Sequence, residues 1–180
     1  VTVLFSDIVG FTPLCAEHTP FEVVNLLNRM YILFDEITDR FGLYKIETIG
    51  DAYMVVGGIP EADPHGVEKV ADMALDMLEA MRDFRIDNTP DSDLVQVRLG
   101  IHTGPVVGGV VGTKVPLFSV YGDTVNTASR IESTSLPMCI NVSQTTHAHL
   151  AKNTRYRFEE RQQVELKGKG KTNTYLLYRA

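Results

Sequence analysis

The chain has 180 residues, and 44% of them are hydrophobic, which is enough for one well-buried core and short for two. Its formal net charge of -6 argues against a surface that follows nucleic acid, because such binding needs many Lys and Arg side chains against phosphates. Cys15 and Cys139 fit no zinc or disulfide spacing, so a reducing compartment is the simpler expectation.

The sequence starts at Val1 without an initiator Met, and it contains neither a signal peptide nor a long apolar run that would span a membrane. We therefore expect residues 1–180 to form one domain of a larger protein, with no direct membrane contact from this segment.

Residues 1–8 are apolar and β-branched, and they predict a buried first strand.

The segment that follows predicts a long helix. Thr19, Pro20 and Glu22 have the spacing of a capping box with Pro at the first helical position. Apolar residues then recur at spacings of three and four, at Val23, Leu27, Met30, Phe34, Ile37 and Phe41. Residues 43–49 and 52–57 predict two strands, joined by a two-residue turn at Gly50-Asp51.

A second helix and a fourth strand complete this part of the chain. Asp63-Pro64 indicates a helix start, and an apolar stripe runs from Val67 to Leu78. Residues 95–101 alternate apolar and polar, with Arg98 on the polar side. The order strand, helix, hairpin, helix, strand predicts an α+β fold with a ferredoxin-like βαββαβ core.

The remainder of the chain predicts a C-terminal α/β extension. The glycine-rich residues 104–112 match no nucleotide-binding loop, so we interpret them as backbone packing. Strands are expected at residues 115–121, 140–142, 156–166 and 174–178, with helices from about residue 123 and at residues 144–151.

Two aspartates predict a metal site. Asp7 ends the first strand and Asp51 lies in the central turn, and in a split βαβ sheet these positions lie side by side. Converging carboxylates repel each other unless a cation or proton intervenes, and oxygen ligands without His or Cys favour Mg²⁺ or Mn²⁺ over zinc. Taken alone, each aspartate is more simply a polar strand end or a turn residue.

Further polar residues fit phosphate chemistry. The main chain at Phe11 and the Thr12 hydroxyl follow Asp7 through a glycine turn that suits phosphate oxygens. Asn126 and Arg130 are four residues apart and share one helix face, where the Arg would stabilise a transferring phosphoryl group. Lys167 suits outer phosphates. Taken alone, the segment at Phe11 and Thr12 would be an ordinary turn, Arg130 would be a surface side chain paired with Glu132, and Lys167 would belong to a basic hairpin.

Five segments together resemble the class III nucleotide cyclase catalytic domain, and within it the eukaryotic guanylate cyclases. These segments are FSDIVGFT at 5–12, KIETIGDAYM at 45–54, RLGIHTG at 98–104, YGDTVNTASR at 121–130 and LKGKG at 166–170. They occur in the family's order and extend over nearly the whole chain. The resemblance implies the cyclase fold and conversion of GTP to 3′,5′-cyclic GMP and pyrophosphate, on the cytoplasmic side of a cell.

The resemblance also implies residue roles. Asp7 and Asp51, with the Ile8 carbonyl, would hold two divalent cations, Mg²⁺ or Mn²⁺. Arg98 and Lys167 would contact the triphosphate, and Asn126 and Arg130 would serve the ribose and the transition state. Glu47 and Ser119 would recognise the base.

Guanine suits Glu47, because a carboxylate accepts from its N1-H and 2-amino donors. Ser119 departs from the Cys usual in this family, and its hydroxyl also accepts from an adenine amino group. ATP therefore remains an alternative substrate, and a catalytically idle nucleotide-binding module is a second alternative.

In the family, the active site lies at a dimer interface. One chain would supply Asp7, Asp51 and Arg98, and its partner would supply Glu47, Ser119, Asn126, Arg130 and Lys167. Because this chain carries both groups of residues, we expect a head-to-tail homodimer with two shared sites.

Overall fold

The structure is a computed structural model that describes residues 1–46, 48 and 50–180. Its elements in chain order are β1 Thr2–Ile8, α1 Phe11–Glu17, α2 Pro20–Arg40, β2 Tyr44–Ile46, β3 Tyr53–Gly57, α3 Gly66–Met81, β4 Val97–Thr103, β5 Val107–Val111, β6 Leu117–Tyr121, α4 Asp123–Ser133, β7 Ile140–Ser143, α5 Gln144–Leu150, β8 Tyr156–Leu166 and β9 Gly170–Arg179.

A seven-stranded sheet has the order β2-β3-β1-β4-β7-β9-β8. The strand β1 is antiparallel to both β3 and β4, while β4 and β7 are parallel. The first four strands, with α2 and α3, form the predicted ferredoxin-like βαββαβ core. The predicted extension is also present, because β7, α5, β8 and β9 continue the same sheet.

Both faces of the sheet are covered. On one face, Leu4 and Ile8 of β1 belong to a core that includes Phe34 of α2 and Met73 of α3. On the other face, Val3 packs in a second cluster with residues of β3, β6 and α4. Because strand side chains alternate between faces, Asp7 lies on the α4 face and Ile8 on the α2 and α3 face.

The helix α2 begins as its sequence predicts. Pro20 is its first residue, and the Thr19 hydroxyl accepts a hydrogen bond of 3.2 Å from the main-chain nitrogen of Glu22. The helix then buries Leu26, Met30, Phe34, Ile37 and Thr38. This hydrophobic face holds α2 across the strands from which the candidate site extends.

Two predicted boundaries are wrong. A two-residue turn at Gly50-Asp51 would pair Ile46 with Val55, but the structure pairs Ile46 with Met54, so the loop has a different register. Asp63 does not cap α3, which begins at Gly66. Its carboxylate instead accepts from the main chain of His65 and from the Lys69 ammonium, and so it stabilises the preceding turn.

The residues after β1 form the helix α1, where only a turn was predicted.

The interpretation of the glycine-rich segment as packing is only partly correct. A Cβ at Gly108 would lie 2.9 Å from the Phe118 ring, so this glycine does allow close packing, whereas a Cβ at Gly109 would meet nothing. Residues 107–111 form a strand, β5, that is largely exposed and pairs with β6.

Within the described part of the chain, no helix is both long enough and apolar enough to cross a lipid bilayer.

Gly100 on β4 should be essential for the packing of α4, because a Cβ there would lie 2.2 Å from the main-chain nitrogen of Glu132. We expect Gly100→Ala to lower the free energy of unfolding by about 2–3 kcal/mol in urea denaturation. Gly109→Ala is the matched control and should leave stability unchanged or slightly higher. Equal effects of the two substitutions would contradict this packing argument.

Candidate active site

Asp7 and Arg98 face each other across the β1 and β4 strand pair. The Arg98 Nε donates to Asp7 Oδ1 at 3.2 Å, and Nη2 donates to Asp7 Oδ2 at 3.0 Å. The remaining Arg98 nitrogen, Nη1, donates to the main-chain carbonyl of Ser133 at the end of α4. This two-point pairing fixes the orientation of the carboxylate and joins the sheet to the helix.

Asp51 reaches the same place from the loop before β3. Its Oδ2 accepts a hydrogen bond of 2.8 Å from the main-chain nitrogen of Ile8, the residue after Asp7. Burial raises the pKa of Asp51, and the nearby charge of Asp7 adds to the increase, while the bond from Ile8 opposes it. The predicted convergence of Asp7, Ile8, Asp51 and Arg98, here called the carboxylate set, is therefore present in the structure.

Glu132 also contacts the carboxylate set, and its place there was not predicted. It is 6% exposed, and its Oε1 lies 3.7 Å from Arg98 Nε. Burial and the neighbouring Asp7 carboxylate raise the pKa of Glu132. Its position one turn after the buried Ala128 is the signal in the sequence that places it on the inner face of α4.

The chemistry of the carboxylate set fits hard divalent cations. Two carboxylates and the main-chain carbonyl of Ile8 offer only oxygen ligands, which suit Mg²⁺ and Mn²⁺. The charge of Asp7 contributes to the raised pKa of Asp51, and a cation between them would relieve this repulsion. Among the residues that the structure describes, no three His, Cys, Asp or Glu side chains group as a metal site.

Phe11 and Thr12 are the first residues of α1, directly after Gly10 with its φ of 68°. The Phe11 side chain packs against the main hydrophobic core, so it is the main chain of Phe11 that is available to a ligand. Thr12 is exposed. Both residues lie within one helical turn of the end of β1, close in sequence to Asp7.

A second group of predicted residues, here called the helix set, comprises Ser119, Asn126, Arg130 and Lys167. Ser119 is partly buried on β6, opposite Gly109, and Asn126 is exposed on α4. The Arg130 Nη2 lies 4.0 Å from the Cβ position of Gly168, in the turn between β8 and β9 that also contains Lys167. Glu47, the other predicted base-recognition residue, lies outside the described residues.

An ion pair holds this turn against α4. The Lys169 ammonium donates to the carboxylate of Asp123, the first residue of α4, at 2.5 Å. The pair fixes the start of the helix that carries Asn126 and Arg130 beside the turn that carries Lys167. This ion pair therefore places Lys167 beside the helix that carries Asn126 and Arg130.

The carboxylate set and the turn that contains Lys167 lie toward opposite ends of the sheet strands. Ile101 of β4 is level with Val142 of β7, which is level with Tyr175 of β9. Arg98 precedes Ile101 toward one end, and Gly170 lies beyond Tyr175 toward the other. The separation along the strands is about eight residues, or about 26 Å.

The course of α4 agrees with this separation. Its first residue, Asp123, contacts Lys169 at one end, and the carbonyl of its last residue, Ser133, contacts Arg98 at the other. Asn126 lies about two turns and Arg130 about one turn before Ser133, so the helix set extends along α4 from that turn toward the carboxylate set.

The sequence matches the model of the Adenylate and Guanylate cyclase catalytic domain family over residues 1–179. The chain belongs to this family. A further match is Atrial natriuretic peptide receptor 2 of Homo sapiens, which is 53% identical over 179 residues, 98% of this chain and 17% of the receptor. Receptor-type guanylate cyclase gcy-28 of Caenorhabditis elegans is 49% identical over 98% of this chain and 14% of its own length.

Solved structures agree with the cyclase fold. The guanylate cyclase domain of RhGC from Catenaria anguillulae, in complex with GTP, matches with a TM-score of 0.91 and 38% identity, over 99% of this chain and 95% of that chain. The adenylyl cyclase CyaB from P. aeruginosa matches with a TM-score of 0.90 and 26% identity, over 99% of this chain and 93% of that chain. This cyclase domain spans less than a fifth of the length of the two receptor relatives.

The buried Glu132 should make stability fall as pH rises. Because its pKa is raised in the folded state, the folded cyclase domain keeps a proton above the usual value of 4.5, where the unfolded chain has lost it. The free energy of unfolding therefore decreases across that interval, by about 1.4 kcal/mol for each pKa unit that it includes.

We expect Glu132→Gln to lose less stability than the unmodified domain between about pH 6 and about pH 8, in urea unfolding with EDTA present. Glu61→Gln, at an exposed position, is the control and should follow the unmodified domain. Parallel pH profiles for all three proteins would show that Glu132 has an ordinary pKa.

Proposed function

We propose that this domain is a guanylate cyclase that converts GTP to 3′,5′-cyclic GMP and pyrophosphate. The observation that carries the proposal is the meeting of Asp7, Asp51 and Arg98 at one sheet end, in a chain about half identical to guanylate cyclases over 98% of its length. The ribose 3′-oxygen would bond to the α-phosphorus as the bond to the β-phosphate oxygen breaks, and the hydroxyl proton would pass to solvent.

The two sets of residues divide the work. Asp7, Asp51 and the Ile8 carbonyl would hold two divalent cations, which lower the pKa of the attacking hydroxyl and neutralise the leaving phosphates. Arg98, the main chain at Phe11 and the Thr12 hydroxyl would bind phosphate oxygens beside them. Every one of these groups lies at or near the end of β1 or β4.

The helix set would act from the other side of the substrate. Asn126 would orient the ribose, and Arg130 would stabilise the negative charge that develops on the transferring phosphoryl group. Lys167 would bind the outer phosphates. Because Asp123 and Lys169 hold this turn against α4, Lys167 and Arg130 would approach a substrate as one unit.

We propose that the active site forms between two copies of the chain, as a head-to-tail homodimer with two shared sites, because Gly170, beside the turn that contains Lys167, lies about 26 Å from Arg98 along the strands. The β5 and β6 hairpin supports a partner surface, since Val107, Val110 and Leu117 on it are 71%, 65% and 49% exposed. Apolar side chains grouped in this way usually mark an interaction site.

Glu47 and Ser119 would select the base, and GTP is the substrate that Glu47 favours. ATP is the second candidate, because a Ser119 hydroxyl both donates and accepts hydrogen bonds.

We also propose that residues 1–180 are one catalytic domain of a longer protein, on the cytoplasmic side of a cell. The exposed thiol of Cys15 would remain reduced there.

The proposed activity is tested by incubating the purified domain with Mn²⁺ or Mg²⁺ and with GTP or ATP. We expect cyclic GMP and pyrophosphate in equal amounts, with a higher kcat/KM for GTP than for ATP. Asp51→Asn should reduce kcat/KM by at least about 100-fold, because it removes a cation ligand. Binding of GTP without either product would instead favour an idle nucleotide-binding module.

A mixing experiment tests the shared site. Asp51→Ala and Arg130→Ala chains should each be inactive alone, whereas an equal mixture should recover about one quarter of the activity, because half of the dimers would carry one intact site. Mixing Asp7→Ala with Asp51→Ala chains is the control, since both changes affect the carboxylate set. Failure of the first mixture to recover, with subunit exchange confirmed, would rule out sites shared between two chains.

A further inference from the structure

Tyr31 of α2 contacts the loop that carries Asp51. Its hydroxyl donates a hydrogen bond of 2.5 Å to the main-chain carbonyl of Gly50 and lies 3.4 Å from the carbonyl of Ala52. The Gly50 carbonyl belongs to the peptide group that joins Gly50 to Asp51. The hydroxyl therefore fixes the main chain immediately before and after this aspartate.

Asp51 is held on its other side by β1. Its carboxylate accepts from the main-chain nitrogen of Ile8, so the carboxylate and the preceding peptide group are anchored to different elements. Gly50 has a φ of 78°, in the left-handed region where glycine is least restricted. Without the bond from Tyr31, the peptide group beside Asp51 would have more freedom to rotate.

The position of the Tyr31 ring is itself fixed by packing. Its centroid lies 5.8 Å from that of Tyr53, and the Lys45 ammonium lies 5.6 Å from the Tyr31 centroid and 5.2 Å from the Tyr53 centroid. Asp35, one turn along α2, pairs with Lys45 at 3.0 Å and accepts from the Tyr53 hydroxyl at 2.6 Å. Lys45 and Tyr53 belong to the strands on either side of the loop, so this cluster joins both strands to α2.

We propose that Tyr31 is a positioning residue for the cation-binding carboxylate of Asp51. This inference rests on the proposed function, in which Asp51 is a cation ligand. In this role the Tyr31 hydroxyl acts through the main chain of the loop and not on the cation or the substrate directly. It holds the Gly50-Asp51 peptide so that the carboxylate is already oriented before a cation binds, which removes an ordering cost from binding.

Tyr31→Phe tests this inference, because it removes the hydroxyl and keeps the ring that packs against Lys45 and Tyr53. The matched control is Tyr53→Phe, which removes a hydroxyl bonded to Asp35 and Thr38 rather than to the carbonyl of Gly50. Mn²⁺ binding is measured by electron paramagnetic resonance with 3′-deoxy-GTP, which lacks the attacking hydroxyl, and activity is measured across a Mn²⁺ titration with GTP.

We expect Tyr31→Phe to raise both the Mn²⁺ Kd and the Mn²⁺ concentration for half-maximal activity by about 5- to 10-fold, with kcat restored at saturating Mn²⁺. Tyr53→Phe should lower Tm and leave both Mn²⁺ values unchanged. The inference is overturned if the Mn²⁺ titrations of Tyr31→Phe and the unmodified domain coincide, or if both Phe variants shift them equally.

Asp51→Asn separates failure of this inference from failure of the proposed function. If Asp51→Asn weakens Mn²⁺ binding and Tyr31→Phe does not, the cation site stands and only the role of Tyr31 is wrong. If Asp51→Asn binds Mn²⁺ as tightly as the unmodified domain, Asp51 is not a ligand, and both the cation site and the role of Tyr31 are wrong.

Discussion

At the end of β1, the main-chain nitrogen of Ile8 donates a 2.8 Å hydrogen bond to the carboxylate of Asp51. This bond joins two segments that are 43 residues apart in the sequence. It uses a main-chain donor at the strand end, and it places a second carboxylate beside Asp7. The proposed cation site and the role proposed for Tyr31 both depend on this meeting of a loop with a strand end.

The sheet also supports the proposal that two chains share each site. Strand pairing fixes Arg98 at one end of β4, while β9 extends past the opposite end to the turn that contains Lys167. The helix α4 lies between these ends, and its packing against β4 requires Gly100. Since paired strands and a tightly packed helix do not slide past one another, the distance of about 26 Å between Arg98 and Gly170 supports the proposal of a substrate bound across two chains.

Much of this arrangement was predictable because it follows from local patterns. The capping box at Thr19 gave the start of α2, and alternation around Arg98 gave β4 and its polar face. The helix α1 was missed because its seven residues have neither a side-chain cap nor a buried residue. The spacing of Glu132 from Ala128 indicates the inner face of α4, but its contact with Arg98 and the loop register depend on tertiary contacts that a single sequence does not display. Glu47 lies outside the described residues.

The two aspartates are not equivalent. Arg98 already neutralises Asp7 at two points, whereas Asp51 has a raised pKa because burial and the charge of Asp7 both oppose its ionisation. The charge of Arg98 lowers the pKa of Asp51 without offsetting its burial, so a cation beside Asp51 would relieve the remaining penalty. The orientation of Asp51 would then influence cation affinity, and it depends on a loop glycine. With Asp51 as a cation ligand, the hydrogen bond from the rigid helix α2 to that glycine would contribute to cation affinity as well as to loop stability.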